Sequence, residues 1–146
     1  MRPLSRPLVA LSAMLMAFPA SALTINWTAE HNAYFEAAGE TTASEQRAGL
    51  AMLLNHGAFE PCRLQLVIIV GHADSMEAPA PARLALSVRR AEYVKGMLVR
   101  LGGVDPSKIY VEGRGSAQQL GRPGTRANRR VEIEAVGQAM TACAKE

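Results

Sequence analysis

The chain has 146 residues, enough for one domain with short appendages and too few for a multi-domain machine or a membrane channel. Lys and Arg total 16 against 13 Asp and Glu, with 49% hydrophobic and 20% charged residues, the balance of a folded globular protein. Aromatic residues make up only 5%, which speaks against a stacking platform for single-stranded nucleic acid.

The first 22 residues read as a secretory signal peptide. Arg2 and Arg6 form a basic start, Leu8 to Phe18 an apolar run, and Ala20-Ser21-Ala22 a small-x-small cleavage pattern. The apolar run is about 11 residues, short of the ~20 that span a bilayer as a helix. No Cys lies near the cleavage pattern to accept a lipid. Two of the 16 basic residues belong to this segment, so Leu23 to Glu146 carries 14 against 13, a net charge of +1. The basic excess is largely a targeting feature, and no nucleic-acid footprint remains. The expected location is the periplasm, with any outer-membrane association made through partners.

Leu23 to Thr28 alternates as a short strand does, and Asn32 to Ala37 is a second strand candidate. Thr42 and Glu45 have capping-box spacing. Ala48, Leu50, Ala51, Leu53 and Leu54 then predict the apolar face of a helix of about 13 residues, with Gly57 as its left-handed terminator. Leu64 to Val70, stopped by Gly71, reads as a central strand buried on both faces. A second helix is predicted from about Arg83 to Leu101, with Ala91, Val94, Leu98 and Leu101 at helical spacing and Gly102-Gly103 ending it. Ile109 to Glu112 and Arg130 to Val136 are the last strands, the latter with Val131, Ile133 and Ala135 inward and Glu132 and Glu134 outward. The resulting class is an α/β (α+β) two-layer sandwich, with a mixed sheet of about four strands, helices on one face and the order β-α-β-α-β-β.

Cys62 and Cys143 in an exported chain are expected to form a disulfide, two buried unpaired thiols being the alternative. Cys62 precedes the central strand and Cys143 follows the final one, so antiparallel pairing of those strands would bring the two together.

Three segments carry the chemistry. They are Gly71-His72-Ala73-Asp74, then Leu86-Ser87-Val88-Arg89-Arg90-Ala91, then Asn128-Arg129-Arg130-Val131-Glu132-Ile133. In this order the chain from about Asn32 to Val136 resembles the OmpA-like peptidoglycan-binding domain, the family of the OmpA C-terminal, Pal and MotB domains. The resemblance implies a non-catalytic module that binds the diaminopimelate of stem peptides, with Asp74 and Arg90 as its main polar contacts. The free end of diaminopimelate is a zwitterion, so it needs one fixed anion and one fixed cation close together, and an arginine fork suits its carboxylate. Arg83, Ser87 and Arg90 share a helical stripe, which makes Arg83 a further candidate beside the ligand or a side chain that snorkels away. Asn128 and Arg130 are secondary candidates, with sheet-edge pairing and hydrogen bonding to the preceding loop as their alternative role.

The chain departs from the family pattern at four places. Ala73 replaces a threonine, Arg83 an asparagine and Ser116 an acidic residue, and the Ser75–Ala82 loop with Pro79 and Pro81 is unlike the usual glycine-containing one. These departures make a domain that has lost wall binding and acts as a protein-interaction module the alternative reading. His72 and Asp74 have no recognisable third metal ligand, since His31 and His56 lie far off. Gly113-Arg114-Gly115 is not followed by the helix a phosphate loop needs. No catalytic set stands out, so neither an enzyme nor a cofactor is expected. The expected partners are peptidoglycan and an envelope protein complex.

Overall fold

The computed structural model describes residues 25–42 and 44–139. The predicted signal segment 1–22 and Cys143 lie outside the described residues. The elements are β1 (Ile25–Tyr34), α1 (Ser44–Leu54), β2 (Leu64–Gly71), α2 (Ala80–Gly102), β3 (Ile109–Gly113) and β4 (Arg130–Ala139). Short 3-10 turns at Gly57–Phe59, Pro106–Lys108 and Arg126–Asn128 join them. The strands lie in the order β1-β4-β2-β3, so the last strand in the chain is inserted between the first two. β4 runs antiparallel to both β1 and β2, whereas β2 and β3 are parallel and are joined through α2.

The predicted class and the four strands are present, with several differences of extent. The two N-terminal strand candidates are one continuous strand, β1, because its residues from Ile25 to Tyr34 pair without a break against Ala139 to Arg130. Helix α1 ends at Leu54, not at Gly57, and His56 Nδ1 caps the following 3-10 turn by accepting the Ala58 N–H at 3.2 Å. Its buried side is Leu50 and Leu53, while Ala48 and Ala51 face solvent. Helix α2 begins at Ala80, before the predicted Arg83, because Pro81 sits in the first turn, where its missing N–H costs nothing. Its end matches expectation: Gly103 adopts φ 60 and donates to Leu98 O and Val99 O.

Among the described residues, helices cover one face of the sheet only. Val67, Ile69, Ile109, Val131, Ile133 and Ala135 point into the core and meet Leu50 and Leu53 of α1 and Ala91, Val94 and Leu98 of α2. β2 is therefore not buried on both faces: Leu66 and Ile68 open onto the uncovered side, with Leu66 39% exposed. The alternation in β4 is as read, with Val131, Ile133 and Ala135 buried and Glu134 exposed.

Candidate functional site

The site is built where β2 and β3 end under the N-terminal half of α2. That half can lie close to the sheet because two strands end in glycine. A Cβ on Gly71 would meet Ser87 O at 1.9 Å, and one on Gly113 would meet Val88 Cγ2 at 2.4 Å. Ser87 is buried there, donating to Leu84 O at 2.7 Å and accepting the Gly115 N–H at 2.9 Å. One helical turn on, this close packing sets Arg90 beneath the chain leaving β2.

Asp74 is held by three donors. Its Oδ1 accepts the Met76 N–H at 2.8 Å, and its Oδ2 accepts the Gly124 N–H at 2.8 Å and Asn128 Nδ2 at 2.7 Å. Only 1% of the residue is exposed. Burial pushes its pKa up, but the Asn128 amide and the two backbone N–H groups more than offset this and hold it below the usual value. A carboxylate offers about four lone-pair sites, so one at Oδ1 is unused. Asn128 is buried and hydrogen-bonds the preceding loop as well as Asp74, accepting the Leu120 and Gly121 N–H groups and donating to Gly121 O and Arg122 O.

Arg90 is fully buried, and all five of its N–H donors have acceptors. Nε donates to Gly39 O at 2.8 Å, Nη1 to His72 O at 3.1 Å and Nη2 to Glu36 O at 3.2 Å. The remaining two form a fork onto Glu77, Nη1 to Oε2 at 2.9 Å and Nη2 to Oε1 at 2.5 Å. The guanidinium also lies over the Phe35 ring at 5.2 Å from its centroid. The Glu77 carboxylate additionally accepts the Asp74 N–H at 2.7 Å and the Ala38 N–H at 2.8 Å. Burial pushes the Glu77 pKa up, while Arg90 and these two N–H groups hold it below the usual range. Glu77 was not singled out in the sequence. Its only signal is its position three residues after Asp74, inside the loop that departs from the family pattern.

The other candidates lie elsewhere. Arg83 neither faces solvent nor reaches Asp74: its Nη1 donates to Ser75 O at 3.0 Å and Ala78 O at 2.6 Å, clamping the loop that carries Glu77. Arg130 is buried on the uncovered sheet face and pairs with Glu132 through Nε and Nη2 at 2.9 and 2.6 Å. His72, also buried, has its Nε2 3.5 Å from Glu132. Burial and the nearby Arg130 lower its pKa, Glu132 opposing them in part. No group of three His, Cys, Asp or Glu residues suited to a metal ion occurs among the described residues. No helix among them is long and apolar enough to cross a membrane.

Known proteins share this architecture. The OmpA-like domain of FopA1 from Francisella tularensis superposes with a TM-score of 0.65 at 22% identity, covering 76% of this chain and 73% of that one. The peptidoglycan-associated lipoprotein from Burkholderia pseudomallei gives 0.62 at 22% identity, over 71% and 88%. The cell wall anchor of the T6SS from Pseudomonas aeruginosa gives 0.58 at 23% identity, over 75% and 82%. In sequence the chain is 44% identical over 78 residues to Outer membrane protein A of Bordetella avium, a match spanning 51% of this chain and 39% of that relative. The family model described as the OmpA family matches residues 34–132. The chain belongs to the OmpA family.

Proposed function

We propose that this protein is a non-catalytic peptidoglycan-binding module of the cell envelope, recognising the zwitterionic end of diaminopimelate through Asp74 and Arg90. The observation that carries the reading is the donor set around the Glu77 carboxylate. Two guanidinium N–H groups and two backbone N–H groups converge on one carboxylate, and one of the backbone groups belongs to Asp74 itself. A carboxylate receptor therefore adjoins a second, ionised carboxylate with a spare acceptor at Oδ1. That pairing suits a ligand bearing a carboxylate and an ammonium on one carbon. The names of two structural neighbours, a peptidoglycan-associated lipoprotein and a cell wall anchor, favour the same assignment. Asn128 serves the site by fixing Asp74, Arg83 by fixing the loop, and Arg130 stands apart from it. Export through the 1–22 segment and work as an accessory subunit of an envelope assembly complete the proposal.

A second reading, an interaction module without wall binding, draws support from the full occupation of Arg90 by the chain's own acceptors. Co-sedimentation with purified diaminopimelate-type sacculi decides between them. Wild-type protein should pellet, and Asp74→Asn should remain in the supernatant, since the ammonium then lacks its anion at a cost of roughly 2–5 kcal/mol. Wild-type protein that stays soluble, and gains no binding when Glu77 is replaced, supports the interaction module.

A further inference from the structure

Glu77 lies in the loop after β2, and Ala38 and Arg90, which help to hold its carboxylate, come from elsewhere in the fold. Ala38 lies between β1 and α1, Asp74 lies past the end of β2 in the same loop as Glu77, and Arg90 lies on α2. Ala38 adopts φ 54, a left-handed conformation unfavourable to a side chain, while its N–H reaches Glu77 Oε1. The loop itself is anchored without help from that carboxylate. Arg83 grips Ser75 O and Ala78 O, Gln119 Oε1 accepts the Ser75 N–H at 3.2 Å, and Asp74 Oδ1 accepts the Met76 N–H. The loop backbone thus has anchors that do not use the Glu77 carboxylate, and Asp74 takes part in both sets, its O accepting the Glu77 N–H at 3.1 Å. Met76, its neighbour, is 73% exposed, so the loop lies at the protein surface.

We infer that Glu77 is an internal occupant of the ligand-carboxylate receptor, closing the site until an incoming carboxylate takes its place on Arg90, Asp74 N–H and Ala38 N–H. This deepens the wall-binding proposal and rests on it for the identity of the incoming group. When Glu77 leaves, its carboxylate becomes hydrated and the ligand carboxylate makes the same four hydrogen bonds, so no donor of Arg90 is stranded. A receptor that is open only 1–10% of the time weakens apparent affinity by about 10- to 100-fold. Arg83 contributes by keeping Glu77 within reach, which holds its effective concentration high.

The test uses the full chain with two replacements, Glu77→Ala and the isosteric Glu77→Gln, and two readouts. In the first, sodium acetate is added against a sodium chloride control at equal ionic strength during thermal melting. Acetate should raise the melting temperature of Glu77→Ala and leave the wild type unmoved. A folded Glu77→Ala protein indifferent to acetate overturns the inference. In the second, a stem tripeptide ending in meso-diaminopimelate, and its lysine analogue lacking that carboxylate, are titrated calorimetrically. The replacements should bind the diaminopimelate peptide at least about tenfold more tightly than wild type, with no gain for the lysine peptide. Equal affinity of wild type and both replacements overturns the inference and leaves the wall reading standing. Acetate rescue without peptide binding by any protein overturns the wall reading and leaves the receptor in place. Should Glu77→Ala not fold even in acetate, Glu77→Gln carries both readouts with the same outcomes.

Discussion

Asp74 and Glu77 are nearly solvent-free carboxylates three residues apart, and the donors around each keep it ionised. Each has a folded-state pKa below its ordinary value, 3.8 for Asp74 and 4.5 for Glu77, despite burial that pushes the other way. In the window between folded and unfolded values the unfolded chain binds more protons, so stability rises with pH there. The stabilisation is complete above the ordinary values and is lost as pH falls through the folded ones. His72 adds an earlier loss: its folded pKa lies below 6.5, so the unfolded chain takes up a proton first as pH drops past that value. Asn128→Ala should expose how much of this depends on one amide. It removes a donor from Asp74 Oδ2 and the acceptor of the Leu120 and Gly121 N–H groups, costing about 1–3 kcal/mol at pH 7. Because Asp74 then titrates at higher pH, the acid limb of the variant's stability curve should begin higher than that of wild type. Melting temperatures from pH 7 to pH 3 check this, and parallel curves for the two proteins would contradict it.

At the scale of elements, the approach of α2 to the sheet is what brings Arg90 to the end of β2. Gly71 and Gly103 separate two reasons for glycine. At Gly71 the backbone carbonyl of Ser87 fills the space a Cβ would need, whereas at Gly103 there is no atom within 4 Å and only φ 60 is demanding. Gly71→Ala must push the helix off the strand, at a cost toward the upper end of about 1–3 kcal/mol or beyond. Gly103→Ala meets only the left-handed backbone penalty of about 1–2 kcal/mol. Urea denaturation of both variants should rank Gly71→Ala as the more damaging. Under the proposed wall-binding function, the variant should also lose sacculus binding out of proportion to its stability, since Arg90 moves with the helix. A benign Gly71→Ala would mean that the close packing does not position the site.

For the molecule as a whole, the insertion of β4 between β1 and β2 decides which segments adjoin. Antiparallel pairing sets Leu64 opposite Gly137, so the chain leaving β4 starts beside the chain entering β2, two residues after Cys62. We propose a Cys62–Cys143 bridge; such a bond requires Cα atoms no more than ~7 Å apart, and Cys143 lies outside the described residues. A bridge closing a loop of about 80 residues would stabilise the fold by roughly 4 kcal/mol on the chain-entropy model. Non-reducing peptide mapping of protein taken from the periplasm should yield one linked pair containing both cysteines, at two hydrogens below the reduced mass. Alkylation of both thiols without prior reduction would remove the bridge from the account.

Local pattern by itself was enough for the type and order of the main elements. The alternation of Val131, Ile133 and Ala135 with Glu132 and Glu134, the β-branched run before Gly71 and the Gly102-Gly103 stop are written in neighbouring residues, because pleat and helix periods act over a few positions. Asp74 and Arg90 were singled out through the resemblance of their short segments to family motifs, not through periodicity. The one-sided burial of β2 was not legible, since a single helical layer is a property of the assembled sheet rather than of an apolar run. Nor were the partners of the buried charges. Asn128 reaches Asp74 across 54 positions, and Arg90 reaches Glu36 across 54 and Gly39 across 51. Glu77 has no periodic or motif signal; its role depends on Ala38, Asp74 and Arg90 arriving from three segments around one carboxylate. Burial makes each of those charges costly unless paired, and only the folded chain determines which donors are within reach.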